Sequence, residues 1–226
     1  MDFSAPGHAL EHADSWLSGA LTGAPLLLVL ALACLLGLRH ATDPDHLVAV
    51  TALVAGDDDG PRRAMRLGAW WGVGHAGTLL LVGLPLLLIE TQLPGWLELG
   101  AEKAIGLVMV LLALRLLWRW RRGRLKGEQG AKPRTRREAL AIGVLHGMAG
   151  TGAVVLLLVA TIPSKPDAAL ALIAFAPMSV LSMMACTGGF AWTFSRSAAA
   201  PICGSLLVPA LGAFGVLFGS WYAGVL

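Results

Sequence analysis

The sequence predicts an all-α integral membrane protein with about six transmembrane helices, and three observations lead there. Hydrophobic residues make up 56% of the 226-residue chain and charged residues only 14%, whereas a soluble domain carries about 25%. Mean hydropathy is +0.71. The apolar residues fall in segments near 22–55, 65–90, 100–120, 138–162, 168–195 and 202–225, each long enough to cross roughly 30 Å of hydrocarbon. Residues 1–226 therefore read as a single transmembrane domain. Residues 1–21 form an external N-terminal segment, and residues 121–137 a basic cytoplasmic loop.

The first segment exceeds what one straight helix needs at about 1.5 Å per residue. Pro44, in its second half, lacks an N–H and crowds the carbonyl four residues back, that of His40. A kinked first helix is predicted, with the His40 carbonyl freed at the bend. Residues 1–23 hold no Lys or Arg but do hold Asp2, Glu11 and Asp14. That is unlike the basic start of a cleavable signal, so the first span is expected to be retained.

The second segment carries Gly72-Val73-Gly74-His75-Ala76-Gly77-Thr78 and the fourth opens on His146-Gly147-Met148-Ala149-Gly150. Glycines at such spacing let helices approach closely, and Thr187-Gly188-Gly189 in the fifth reads the same way. Trp16, Trp70, Trp71, Trp96, Trp118 and Trp120 fit anchoring at the membrane interface. Gly37-Leu38-Arg39-His40 and Gly143-Val144-Leu145-His146 echo one another, each opening a set of three spans. An odd number of spans per repeat would give two inverted three-helix repeats, with a binding site near the midplane.

A net charge of +3 does not point to nucleic acid, because the cationic residues flank apolar spans. Arg62, Arg63 and Arg66 lie in the first connection, and a dense group from Arg119 to Arg137 in the third. Lys and Arg gather on the cytoplasmic side. Both termini are thus expected outside, in a multi-pass protein of the inner (cytoplasmic) membrane. Cys34, Cys186 and Cys203 are scattered in apolar sequence and suit packing rather than a disulfide framework.

The polar residues inside the spans carry the chemistry. His40-Ala41-Thr42-Asp43-Pro44-Asp45-His46 places two imidazoles and two carboxylates after an apolar run. Such groups are costly in hydrocarbon unless they pair, line a cavity or bind an ion. On a continuous helix His40, Asp43 and His46 share one face, while Asp45 points elsewhere, toward a neighbouring helix or Arg39. Imidazole with carboxylate suits divalent transition metals. His40, Asp43, Asp45, His46, His75 and His146 are therefore the candidate metal ligands. His8, Glu11, His12 and Asp14 read as a solvated start, and Met178, Met183 and Met184 as packing.

His40-x4-Asp45-His46 resembles the His-x4-Asp-His signature of the nickel/cobalt transporter (NiCoT) family, and Gly74-His75 its Gly-His element. The likeness is persuasive over residues 35–80 and weaker over 143–153. It implies a permease for Ni2+ or Co2+ with His40, Asp43, Asp45 and His46 in the ion path and His75 nearby. Typical members have eight spans, so the shorter count implies the branch associated with urease and hydrogenase accessory loci. The basic loop lacks the His-rich tract of related efflux proteins, which favours uptake over efflux.

No enzymatic cofactor is expected. The partners are the divalent ion, which is cargo, and the bilayer; a homo-oligomer is compatible with the pattern. Two other classes fit less well. An intramembrane zinc enzyme would need a general base apart from the ligands, and H-E-x-x-H is absent. A thiol electron carrier would need paired cysteines.

Overall fold

The computed structural model describes residues 26–54, 60–89, 91, 94–123, 135–162, 164–195 and 203–225. Every regular element among the described residues is helical. They are α1 (Leu26–His40), α2 (Pro44–Val54), α3 (Pro61–Thr78), α4 (Leu84–Leu88), α5 (Gly95–Arg121), α6 (Arg136–Thr161), α7 (Lys165–Ser195) and α8 (Val208–Tyr222). The external N-terminal segment, with His8, Glu11, His12 and Asp14, lies outside the described residues, as does most of the basic loop.

Proline sets the irregularities. A π-helical turn, Leu79–Gly83, joins α3 to α4 just before Pro85, and another, Cys203–Leu207, leads into α8 just before Pro209. A proline withdraws one backbone donor and crowds the preceding turn, and a widened turn is one way for a helix to continue past it. At the other ends the signals are polar. Thr135 and Glu138 form a reciprocal capping box at the start of α6. Gly123, at φ 66°, closes α5 in the left-handed conformation that suits glycine there.

Helix α3 is flanked by α6 and α7, α1 runs along α7, and α5 pairs with α8. Small residues set these distances. A Cβ on Gly74 would run into the Leu140 carbonyl of α6, and one on Gly143 into the Trp71 carbonyl of α3. Gly37 faces Phe175 and Met178 of α7, and Gly72 faces Val180 of the same helix. In lipid such close backbone approach replaces the hydrophobic effect as the force between helices. The outer faces carry Leu27, Leu81, Leu107 and Leu217.

Among the described residues, three helical stretches are long and apolar enough to cross a membrane: Pro61–Leu88, Lys165–Ser195 and Ser205–Tyr222. A fourth is added if Leu26–His40 and Asp45–Thr51, bent by 46° at their junction, form one span. The predicted kink is therefore present, but as a break in the helix. Thr42 N–H bonds the Arg39 carbonyl at 2.9 Å, and Asp43 N–H bonds the His40 carbonyl at 3.1 Å. The His40 carbonyl thus accepts an amide of the turn, and the expectation that Pro44 frees it is corrected.

Two apolar clusters bracket the polar motif. One contains Ala64, Leu67, Trp71, Ala139 and Met183, near the starts of α3 and α6. The other contains Val29, Ala33, Leu87, Ile162 and Ala168, toward the opposite end. The histidines lie between them.

Candidate metal centre

Four elements deliver the site. His40 ends α1, Asp43 lies in the turn, Asp45 and His46 open α2, His75 comes from α3 and His146 from α6. Breaking the chain at 41–43 breaks the continuous stripe predicted for His40, Asp43 and His46, yet brings all three toward α3 and α6. The break needs partners for its backbone, and α7 supplies them. Ser182 Oγ donates to the Leu38 carbonyl and accepts the Ala41 N–H at 3.3 Å. Cys186 Sγ reaches the Ala41 carbonyl at 3.7 Å.

All six predicted ligands come together. His40 Nδ1 lies 3.2 Å from Asp43 Oδ2, and His40 Nε2 lies 2.9 Å from His75 Nε2. Asp45 takes His46 Nδ1 on one oxygen at 2.9 Å and His146 Nε2 on the other at 2.7 Å. The imidazole rings pack closely at tilted angles, with centroids 4.3 Å apart for His40–His46 and again for His46–His146. His46, His75 and His146 are almost wholly buried, and His40 is half-buried.

Asp45 reaches a neighbouring helix, the first of its two predicted places, through His146 of α6, and the pair with Arg39 falls instead to Asp43, at 3.4 Å. A turn in place of a helical step rotates the two carboxylates relative to the helical-wheel expectation.

The hydrogen bonds assign the tautomers. Carboxylates accept only, so His40 Nδ1, His46 Nδ1 and His146 Nε2 carry protons. His40 Nε2 must then accept from His75 Nε2–H. Lone pairs remain on His46 Nε2, His75 Nδ1 and His146 Nδ1, and these three buried nitrogens have no hydrogen-bond partner. Buried polar atoms normally find one. His46 and His146 are held by the Asp45 carboxylate at their other edge and His75 by His40. An imidazole fixed at one edge with a lone pair at the other is the form in which histidine ligates metal. Two sets of donor atoms lie within 4.8 Å of one another: His40, His46 and His75, and Asp45, His46 and His146. A divalent ion fits this donor set.

A cavity of about 390 Å³ adjoins the cluster, with Ala33, Leu36, Leu158, Ala171 and Phe175 along its apolar wall. Trp71 corrects another expectation. It is fully buried rather than interfacial, with its ring centroid 5.4 Å from that of His46 and 5.9 Å from that of His146. Ser182, Cys186 and this inward role of Trp71 were missed from sequence. Their faint signal was a pair of small polar residues four apart in an apolar helix, and a tryptophan one turn before His75.

These features define a class, a polytopic helical membrane protein with an imidazole-rich ligand cluster buried between its helices. The chain is 28% identical over 208 residues to the urease accessory protein UreH of Bacillus sp. (strain TB-90), covering 87% of this chain and 91% of that protein. It is 31% identical over 135 residues to a high-affinity nickel transport protein of Cupriavidus necator, covering 51% of this chain and 38% of that protein. No protein-family model and no solved structure matches the chain. Both likenesses agree with the resemblance of His40-x4-Asp45-His46 to the nickel/cobalt transporter signature. Both relatives are named for transport or accessory roles, neither as an enzyme.

Proposed function

We propose that this chain is a permease that carries Ni2+ or Co2+ across the cytoplasmic membrane, inward, through the His40–Asp43–Asp45–His46–His75–His146 cluster. The observation that carries the reading is the set of three buried imidazole nitrogens left without partners between two apolar layers. In hydrocarbon such atoms are expensive, and an ion stripped of water is the ligand that satisfies several at once. Imidazole with one or two carboxylate oxygens suits nickel and cobalt, and selection among divalent metals then rests on geometry. The relatives' names, a nickel transport protein and a urease accessory protein, support the same cargo and a supply role for nickel-enzyme maturation.

In this reading the chain crosses six times. Helices α5 and α6, of 27 and 26 residues, are each about 40 Å long at 1.5 Å per residue and complete the set with the bent α1–α2 pair. The Arg-rich 121–137 connection then faces the cytoplasm and both termini face out. Inverted three-helix halves would place His40 and His146 at equivalent points beside the midplane.

The test is uptake of radiolabelled nickel, cobalt and zinc into proteoliposomes of defined orientation. Saturable nickel or cobalt entry, lost in His46→Ala with insertion intact, is expected. Equal flux in His46→Ala removes the cluster from the path, and flux only outward reverses the direction.

A further inference from the structure

The two donor sets share His46 but differ in position and chemistry. His40, His46 and His75 offer three imidazoles, whereas Asp45, His46 and His146 offer two imidazoles and a carboxylate. His40 ends α1 before the break and Asp45 and His46 follow it, while His75 and His146 lie level with each other across the α3–α6 crossing, where Gly147 packs against the His75 backbone. The cavity reaches the cluster past Ala33 and Leu36 of α1, Leu158 late in α6, and Ala171 and Phe175 early in α7. Leu158 and Ala171 lie toward the end of the bundle where α1 begins, while Leu36 and Phe175 lie beside His40. On the opposite side Trp71, one helical turn before His75, packs its fully buried ring against His46 and His146.

Resting on the transport reading above, we infer that the ion occupies two successive stations, first His40–His46–His75 and then Asp45–His46–His146, with His46 as the shared ligand and Trp71 as the barrier beyond the second. The role of Asp45 changes between them. At the first station its oxygens accept from His46 Nδ1 and His146 Nε2, which fixes the tautomer that leaves His46 Nε2 free for the ion. At the second it becomes a ligand itself. The His46 and His146 rings turn to present Nε2 and Nδ1 to the ion on the Asp45 side and give up their N–H bonds to the Asp45 oxygens, with no proton gained or lost. The shared imidazole keeps hold of the ion while His40 and His75 are exchanged for Asp45 and His146, so the cargo is never without protein ligands. Replacing imidazole by carboxylate also moves the ion toward harder donors, which eases its release to water.

The inference is tested on the full chain, purified in detergent, by Co2+ binding, by X-ray absorption of the bound Co2+ and by flux in proteoliposomes. Wild-type protein that binds no Co2+ would sink the transport reading itself; binding is the condition for the rest. His146→Gln is expected to bind Co2+ with affinity changed by less than about tenfold, below the loss that follows from disturbing an ion's ligands. Its count of coordinating imidazoles should match wild type, while flux is lost. His75→Gln is expected to lose one imidazole from the Co2+ shell and to bind more weakly.

His146→Asn serves as the second variant if His146→Gln does not elute as a monodisperse species. The wild-type adduct gives an independent reading, since one equivalent of Co2+ should show three imidazoles. A His146 variant that loses binding as severely as His75→Gln would mean a single merged site, and one that transports normally would remove the second station. Either result overturns the inference.

Discussion

Asp45 holds the site together, since its two oxygens bond two histidines from different helices at 2.9 and 2.7 Å. Losing it leaves two buried imidazole N–H groups without acceptors and releases the tautomers that keep ligand nitrogens free. Asp45→Ala should lower nickel affinity by roughly tenfold to a hundredfold, the usual cost of removing a ligand's carboxylate partner; equilibrium dialysis against nickel measures it. Arg39→Ala should leave affinity and thermal stability nearly unchanged. Its pair with Asp43 is exposed on the Arg39 side, and such pairs contribute about 0–1 kcal/mol. All six ligand candidates were legible in sequence because imidazole and carboxylate are so improbable inside apolar runs. That Asp45 reaches a neighbouring helix was legible as well; that it also bonds His46 and leaves Arg39 to Asp43 was not, since a helical wheel assumes an unbroken helix through 41–43.

Among the elements, the junction of α1 and α2 and the crossing of α3 with α6 decide where those ligands sit. Ser182 satisfies both the Leu38 carbonyl and the Ala41 N–H across the break. Ser182→Ala should therefore cost about 1–3 kcal/mol, the penalty of stranding buried polar groups, and weaken metal binding by moving His40. The melting temperature with and without nickel separates the two effects, and an unchanged value for both would mean the turn holds itself.

At the α3–α6 crossing, Gly143→Ala should push His75 and His146 apart, because its methyl would meet the Trp71 backbone. Gly77→Ala, with nothing within 4 Å of the added carbon, is the tolerated control. Comparable flux in both would show that the crossing has slack. That glycines meant close approach was readable from their spacing. Which helices they join was not, because partner choice in lipid depends on shape complementarity that no hydropathy pattern encodes.

For the molecule as a whole, the charge pattern and the site make a joint demand. The cavity extends from the cluster to Leu158 late in α6 and Ala171 early in α7, on the side where α1 begins, and a path for inward transport has that side facing out. The cationic residues argue for the same sense, since Arg62, Arg63 and Arg66 start α3 at the far end, and Arg119, Arg121 and Arg122 end α5 there. Placing them in the cytoplasm satisfies the positive-inside rule and points the cavity outward at once. In a background lacking the native cysteines, a cysteine at Val225 should react with impermeant maleimide from outside. One at Gly130 should react only after the cytoplasmic face is opened. Both labels on one side would mean an even number of crossings between the two positions, against the three that six spans place there. Val225 labelled from the cytoplasm and Gly130 from outside would leave six spans standing, turn the cavity toward the cytoplasm, and favour export of the ion.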